Sequence, residues 1–105
     1  MSRLLATVRW RRQVLSSSPV VVVGKKKPWN YVTACITVFN SGSKTLIIRG
    51  RGSNISRAVD VANLLRRNVA GTQILEIRIV EDVNEADNSR VIPVIEIILK
   101  NPHSP

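Results

Sequence analysis

The sequence predicts a two-layer α+β domain with two helices on a four-stranded mixed sheet, in the order β-α-β-α-β-β. Three observations carry that expectation. Two short β-branched runs each end in a basic turn containing glycine, and each leads into a stretch whose apolar residues recur at helical spacing. The last third instead alternates apolar and charged residues and then becomes almost wholly apolar, as two neighbouring strands do. The length of 105 residues suits one domain and leaves no room for two of ordinary size.

Each element follows in order. Val20 to Val23 is β-branched throughout, the composition of a strand buried on both faces. Gly24 ends it, Lys25, Lys26 and Lys27 follow, and Pro28 supplies a favourable first helical residue. Asn30, Thr33, Thr37 and Asn40 then recur at intervals of three and four, which predicts a helix with one narrow wet stripe and with Tyr31, Cys35 and Phe39 in the core. Asn40-Ser41-Gly42 closes it. Thr45 to Ile48 reads as a second strand, and Arg49 to Asn54 as a glycine-rich turn with Ser53 or Asn54 as N-cap. Ile55, Ala58, Val59, Ala62, Leu65 and Val69 form the apolar stripe of a second helix, stopped by Gly71. Leu75, Ile77 and Ile79 alternate with Glu76 and Arg78, and Val91 to Leu99 is the last strand. Ile92, Val94 and Ile98 face away from Val91, Ile95, Ile97 and Leu99, and two helices on one side cannot bury both sets. The amino-terminal arm or a second subunit must cover the other face, and a dimer is expected.

The charge is uneven. Of 16 basic and 7 acidic residues, net +9, positions 1–70 hold 13 basic groups and one acid, Asp60, while positions 71–105 hold three basic groups and six acids. A compact fold with this much positive charge repels itself, and a polyanion relieves the repulsion. Nucleic acid is therefore the expected partner, met by the first two thirds of the chain. Residues 1–19 are rich in Arg and Ser without acids and read as a basic extension ahead of a domain at 20–105; organellar transit peptides share that composition. One cysteine, Cys35, cannot form an internal disulfide, and no apolar run approaches membrane-spanning length. A cytoplasmic protein without a membrane partner is expected.

Lys25, Lys26 and Lys27 stand at a strand-to-helix turn, beside the positive end of a helix dipole. Arg49 and Arg51 flank Gly50 in the second such turn and repeat the pattern. Neither turn has the glycine and lysine spacing of a mononucleotide or dinucleotide site. Arg57 either contacts nucleic acid or pairs with Asp60; Arg66 and Arg67 suit a helix C-terminus on dipole grounds alone. Glu81, Asp82, Glu85 and Asp87 lack the calcium-loop pattern, and His103 is the sole histidine, so neither a metal site nor a catalytic centre is expected, nor any cofactor.

Val20-Val-Val-Val-Gly-Lys-Lys-Lys-Pro-Trp-Asn-Tyr-Val32 and Ile47-Ile-Arg-Gly-Arg-Gly-Ser-Asn-Ile-Ser-Arg-Ala-Val-Asp60 resemble the Alba family of archaeal chromatin proteins. The resemblance implies a fold like the C-terminal domain of bacterial initiation factor 3. It also implies a dimer, with itself or with a paralogue, that binds double-stranded DNA and RNA without reading sequence and associates with the chromosome. By the same resemblance Lys25 and Lys26 contact phosphates and can lose their charge by acetylation, Arg51 is the arginine of the second turn, and Arg90 lies at the end of a hairpin arm. This chain departs from the family pattern at Lys27, where proline is usual, at Ser53, where a basic residue is common, and at Val69, where some members carry an aromatic. Its hairpin also carries four acids, which oppose phosphate contact over a Debye length of roughly 8 Å; the arm is expected to contribute less than the body or to turn its acids outward. The alternative implied function is an RNA-binding subunit of a ribonuclease P-like particle.

Overall fold

The computed structural model of the chain describes residues 18–83 and 90–103; the extension as far as residue 17 and the hairpin tip with Glu85 and Asp87 lie outside the described residues. Strand β1 (Val20–Val23) leads to helix α1 (Pro28–Asn40), β2 (Thr45–Arg51), a single 3-10 turn (Gly52–Asn54), helix α2 (Ile55–Asn68), β3 (Gln73–Val83) and β4 (Val91–Lys100). The sheet order is β1-β2-β4-β3. β1 and β2 are parallel, which requires a crossover, and α1 supplies it. β4 runs antiparallel to both β2 and β3. The expected order and the mixed four-stranded sheet are both present.

One core lies between the helices and the sheet. α1 buries Val32, Cys35 and Phe39, and α2 buries Ala58, Val61, Ala62 and Leu65, against Val21, Val23, Leu46, Ile48, Ile97 and Leu99. Each fully buried leucine here contributes about 1.5–3 kcal/mol relative to exposure. Gly50 permits the close packing of α2 on β2: a Cβ there would stand 2.6 Å from Cβ of Ala58 and 2.7 Å from the Asn54 carbonyl oxygen. At the opposite end, buried Asn101 donates from Nδ2 to the carbonyls of Phe39 and Ser43, each at 2.9 Å, and accepts from the His103 N–H through Oδ1. It thereby adds a second donor to the Phe39 carbonyl, which already accepts from the Gly42 N–H, and ties down the Ser43 carbonyl of the loop that follows α1.

Three details differ from the sequence reading, and the place of Pro93 is a fourth that it did not address. β1 is buried on one face only, with Val20 and Val22 exposed, because it is an edge strand. β2 runs on through Arg49, Gly50 and Arg51, so the turn shrinks to Gly52–Asn54, with Gly52 at φ +58°. Pro93 sits in a central strand without costing a ladder bond to β2, since β2 ends at the pair Arg51 and Val94. Val94 and Ile98 are already buried within the chain, and the uncovered apolar stripe lies elsewhere, on Leu75, Ile77 and Ile79 of edge strand β3. Ile77 and Ile79 pair with Ile97 and Ile95, so the stripe is on the helix side of the sheet, beyond the reach of the helices.

Candidate nucleic-acid interface

Parallel β1 and β2 deliver both helix N-termini to the same edge of the sheet. Val23 pairs with Gly50, so the chain leaves β1 at Gly24 alongside Arg51. Neither helix has an acid in its first turn or a side-chain cap, and the positive ends of both dipoles lie at this edge. The β3–β4 hairpin leaves from this same edge, extending past Arg51 by the three residues Val91 to Pro93, about 10 Å. Arg90 is exposed at the start of that arm.

The first turn is open and charged. Lys25, Lys26 and Lys27 are exposed and make no ion pair among the described residues. The backbone beneath them is held: the Lys26 N–H donates to the Tyr31 hydroxyl at 3.1 Å, and Arg57 Nη1 donates to the Gly24 carbonyl at 2.9 Å. The same nitrogen reaches Asn54 Oδ1 at 3.2 Å, so Arg57 ties one turn to the other instead of pairing with Asp60. Asn54 occupies the N-cap position of α2 without capping it, since its side chain serves Arg57. Trp29 stands half-exposed on the first turn of α1, next to the lysines in sequence.

The second turn is different. Arg49 lies in strand β2 on the face of the sheet opposite the two described helices, in one row with Glu96 and Arg78. Its Nη1 donates to Glu96 Oε2 at 2.7 Å and its Nη2 to Asp82 Oδ2 at 2.8 Å. Asp82 Oδ2 also lies 3.4 Å from Arg51 Nε, and Glu96 Oε1 lies 3.9 Å from Arg78 Nη1. Burial alone lowers the Arg49 pKa, but the hydrogen bonds and charges of Asp82 and Glu96 outweigh it and raise the pKa above its ordinary value. Asp82 thus turns inward to the arginines, in place of the outward orientation considered from the sequence.

Lys25, Lys26, Lys27, Arg51 and Arg57 therefore meet at one edge, with Arg90 on the arm beyond it and Arg49 drawn onto the sheet face. Arg66 and Arg67 sit at the far end of α2, about 20 Å along the helix from its start, where they line an open depression of about 410 Å³ with Asn63 and Thr72. Sequence reasoning missed the Tyr31 hydroxyl contact, the Arg57 strap and the inward Asp82. The last two join residues 33 positions apart, and the first depends on how the turn folds back on α1; periodicity reports neither.

Fold and site define a class: a small two-layer α+β domain that gathers two uncapped helix N-termini and a cluster of cations at one sheet edge. Residues 19–81 match the Alba family. The chain is 40% identical over 87 residues to the DNA/RNA-binding protein Alba of Methanothrix thermoacetophila, covering 81% of this chain and 98% of that protein. It is 41% identical over 81 residues to DNA/RNA-binding protein Alba 1 of Archaeoglobus fulgidus, covering 75% and 91% respectively. Alba from Thermoplasma volcanium superimposes with a TM-score of 0.71 at 37% identity, over 77% of this chain and 98% of that one. ALBA1 from Trypanosoma brucei shares the fold, with a TM-score of 0.68 at 19% identity, over 80% of this chain and 69% of that one. The chain belongs to the Alba family.

Proposed function

We propose that this protein is a non-catalytic, chromosome-associated binder of double-stranded DNA, and of RNA, that grips phosphates without reading bases. The supporting observation is the convergence of two uncapped helix N-termini with Lys25, Lys26 and Lys27 at one edge of the sheet, where nothing among the described residues neutralises the lysines. Backbone N–H groups and ammonium groups select phosphate and carry no sequence information. The relatives' names, DNA/RNA-binding protein Alba, point the same way. Arg51 and Arg57 lie at the same edge, and Arg90 reaches further along the arm. Acetylation of Lys25 and Lys26 removes two of the three first-turn charges and weakens the grip.

The acting unit is a dimer, with a second copy or a paralogue. Leu75, Ile77 and Ile79 are 48%, 56% and 80% exposed on edge strand β3, a continuous apolar stripe of the kind that marks an interaction surface. With three lysines engaged on each of two subunits, about six phosphates are neutralised, and log K falls against log salt with a slope near −5. The test is a salt titration of binding to two duplexes of unrelated sequence and to a structured RNA. Equal affinities for the duplexes and a steep slope support the proposal; a slope near zero, or strong preference for one sequence, sinks it.

A further inference from the structure

The arginines of the second turn already hold an anion. Asp82 Oδ2 accepts from Arg49 Nη2 at 2.8 Å and lies 3.4 Å from Arg51 Nε, the arrangement in which a phosphate oxygen sits between two guanidinium groups. We propose that Asp82 is a built-in phosphate mimic that occupies these two arginines and so sets how strongly the protein grips nucleic acid. The proposal rests on the nucleic-acid reading above and deepens it. A duplex first meets the lysines of the first turn and engages Arg51 and Arg49 only by displacing the carboxylate.

The electrostatics of the cluster carry the inference. Three guanidinium groups, Arg49, Arg51 and Arg78, face two carboxylates, Asp82 and Glu96, so the cluster offers a net charge of +1 in place of the +3 its arginines would bring. The two carboxylates are not equivalent. The Glu96 side chain is 15% exposed and lies between Arg49 and Arg78, as the central member of a cross-strand row. Asp82 is 33% exposed at the base of the hairpin and shares Arg51, which is 47% exposed, so solvent and an incoming phosphate both reach it. Loss of Asp82 leaves Arg49 paired with Glu96, so the cluster keeps its structural anchor while releasing Arg51. A partly exposed ion pair of this kind is weak, which makes it displaceable. The neighbour Glu81 pairs with Pro93 and points to the opposite face of the strand, so it carries the same charge without touching the arginines.

That contrast supplies the experiment. Full-length wild type, Asp82→Asn and Glu81→Gln are titrated with one duplex across a salt series, with thermal melts confirming the fold. Asp82→Asn is expected to bind about threefold or more tightly at 0.1 M salt, with a slope steeper by up to about two for a dimer. Glu81→Gln makes the same change in net charge and is expected to give less than half of either effect. Equal or weaker binding by Asp82→Asn overturns the proposal, as do identical gains from the two variants, which would assign the effect to net charge. Should Asp82→Asn fail to fold, the Arg51 Nε–H resonance of the wild type decides: it moves at saturating duplex if Asp82 is displaced, and an unmoved resonance refutes displacement. Absence of wild-type binding to any duplex or RNA at low salt refutes the functional reading itself, whereas normal wild-type binding with an inert Asp82→Asn refutes this inference alone.

Discussion

Two basic turns that look alike in the sequence do opposite things in the fold. Lys25, Lys26 and Lys27 stand in solvent on a backbone held by Tyr31 and Arg57. Arg49 and Arg51 lie at the end of β2 in the same sheet, yet both are drawn to Asp82, and Arg49 also to Glu96. The difference comes from their neighbours. The first turn ends β1, whose only partner strand among the described residues is β2, whereas the second borders β4 and the acidic base of the hairpin. A cation's value for binding a polyanion depends on what the fold has already placed against it, and net charge does not report that.

The largest expected effect breaks the open turn. Lys25→Gln with Lys26→Gln removes four charges from a dimer and should weaken duplex binding about 100-fold or more at 0.1 M salt, equally for unrelated sequences. A loss confined to one sequence would show base reading. Breaking the proposed dimer comes next: Ile79→Asp places a charge on the apolar stripe and should give a monomer by sedimentation, with duplex affinity down about tenfold through lost bivalency. A variant that remains dimeric would place the interface elsewhere.

Arg57→Ala sharpens the comparison by removing the tie between the turns. Affinity is expected to fall several-fold with the salt slope unchanged, because the guanidinium acts through Gly24 and Asn54. A slope shallower by about two per dimer would instead make Arg57 a phosphate contact. Asn101→Ala, at the far end of α1, separates stability from binding. It leaves the Ser43 carbonyl without its Asn101 donor and the Phe39 carbonyl with only the Gly42 N–H, and should cost about 2 kcal/mol in denaturant unfolding, with duplex affinity unchanged.

The smallest effect concerns Cys35. Burial pushes its thiol up to about 12, so it should alkylate far more slowly in the folded than in the unfolded chain at pH 8. The unfolded thiol ionises near 9 while the folded one keeps its proton, so this contribution to stability is intact below pH 9 and declines as pH rises toward 12.

Much of this fold was legible because its elements announce themselves locally. The valine run, the helical stripes and the alternation of Leu75 to Ile79 placed every strand and helix in order. The sequence also places Lys25 to Lys27 just after the first strand, where the structure has them, and Arg51 in a turn, where the structure has the last residue of β2. It erred on reach and on partners. β2 continues through Arg49 because β4 offers it a ladder as far as Val94, a tertiary fact that overrides the turn signal of two glycines. The sequence predicts an uncovered apolar face on β4, but the exposed stripe lies on β3, because strand order puts β3 at the edge of the described sheet and β4 in the middle. Asp82 could be counted as an acid but not aimed, since its orientation depends on a pairing across 33 residues of chain.

On the proposed function, placement of charge at the sheet edge, rather than total charge, sets the grip on nucleic acid. The most direct measurement of this compares the salt slopes of duplex binding for wild type, Lys25→Gln/Lys26→Gln and Arg66→Gln/Arg67→Gln. Both double variants remove the same charge, but Arg66 and Arg67 lie at the opposite end of α2. The account predicts a slope that drops from near −5 to about −2 for the lysine pair and stays near the wild-type value for the arginine pair. Equal drops in the two variants would contradict it.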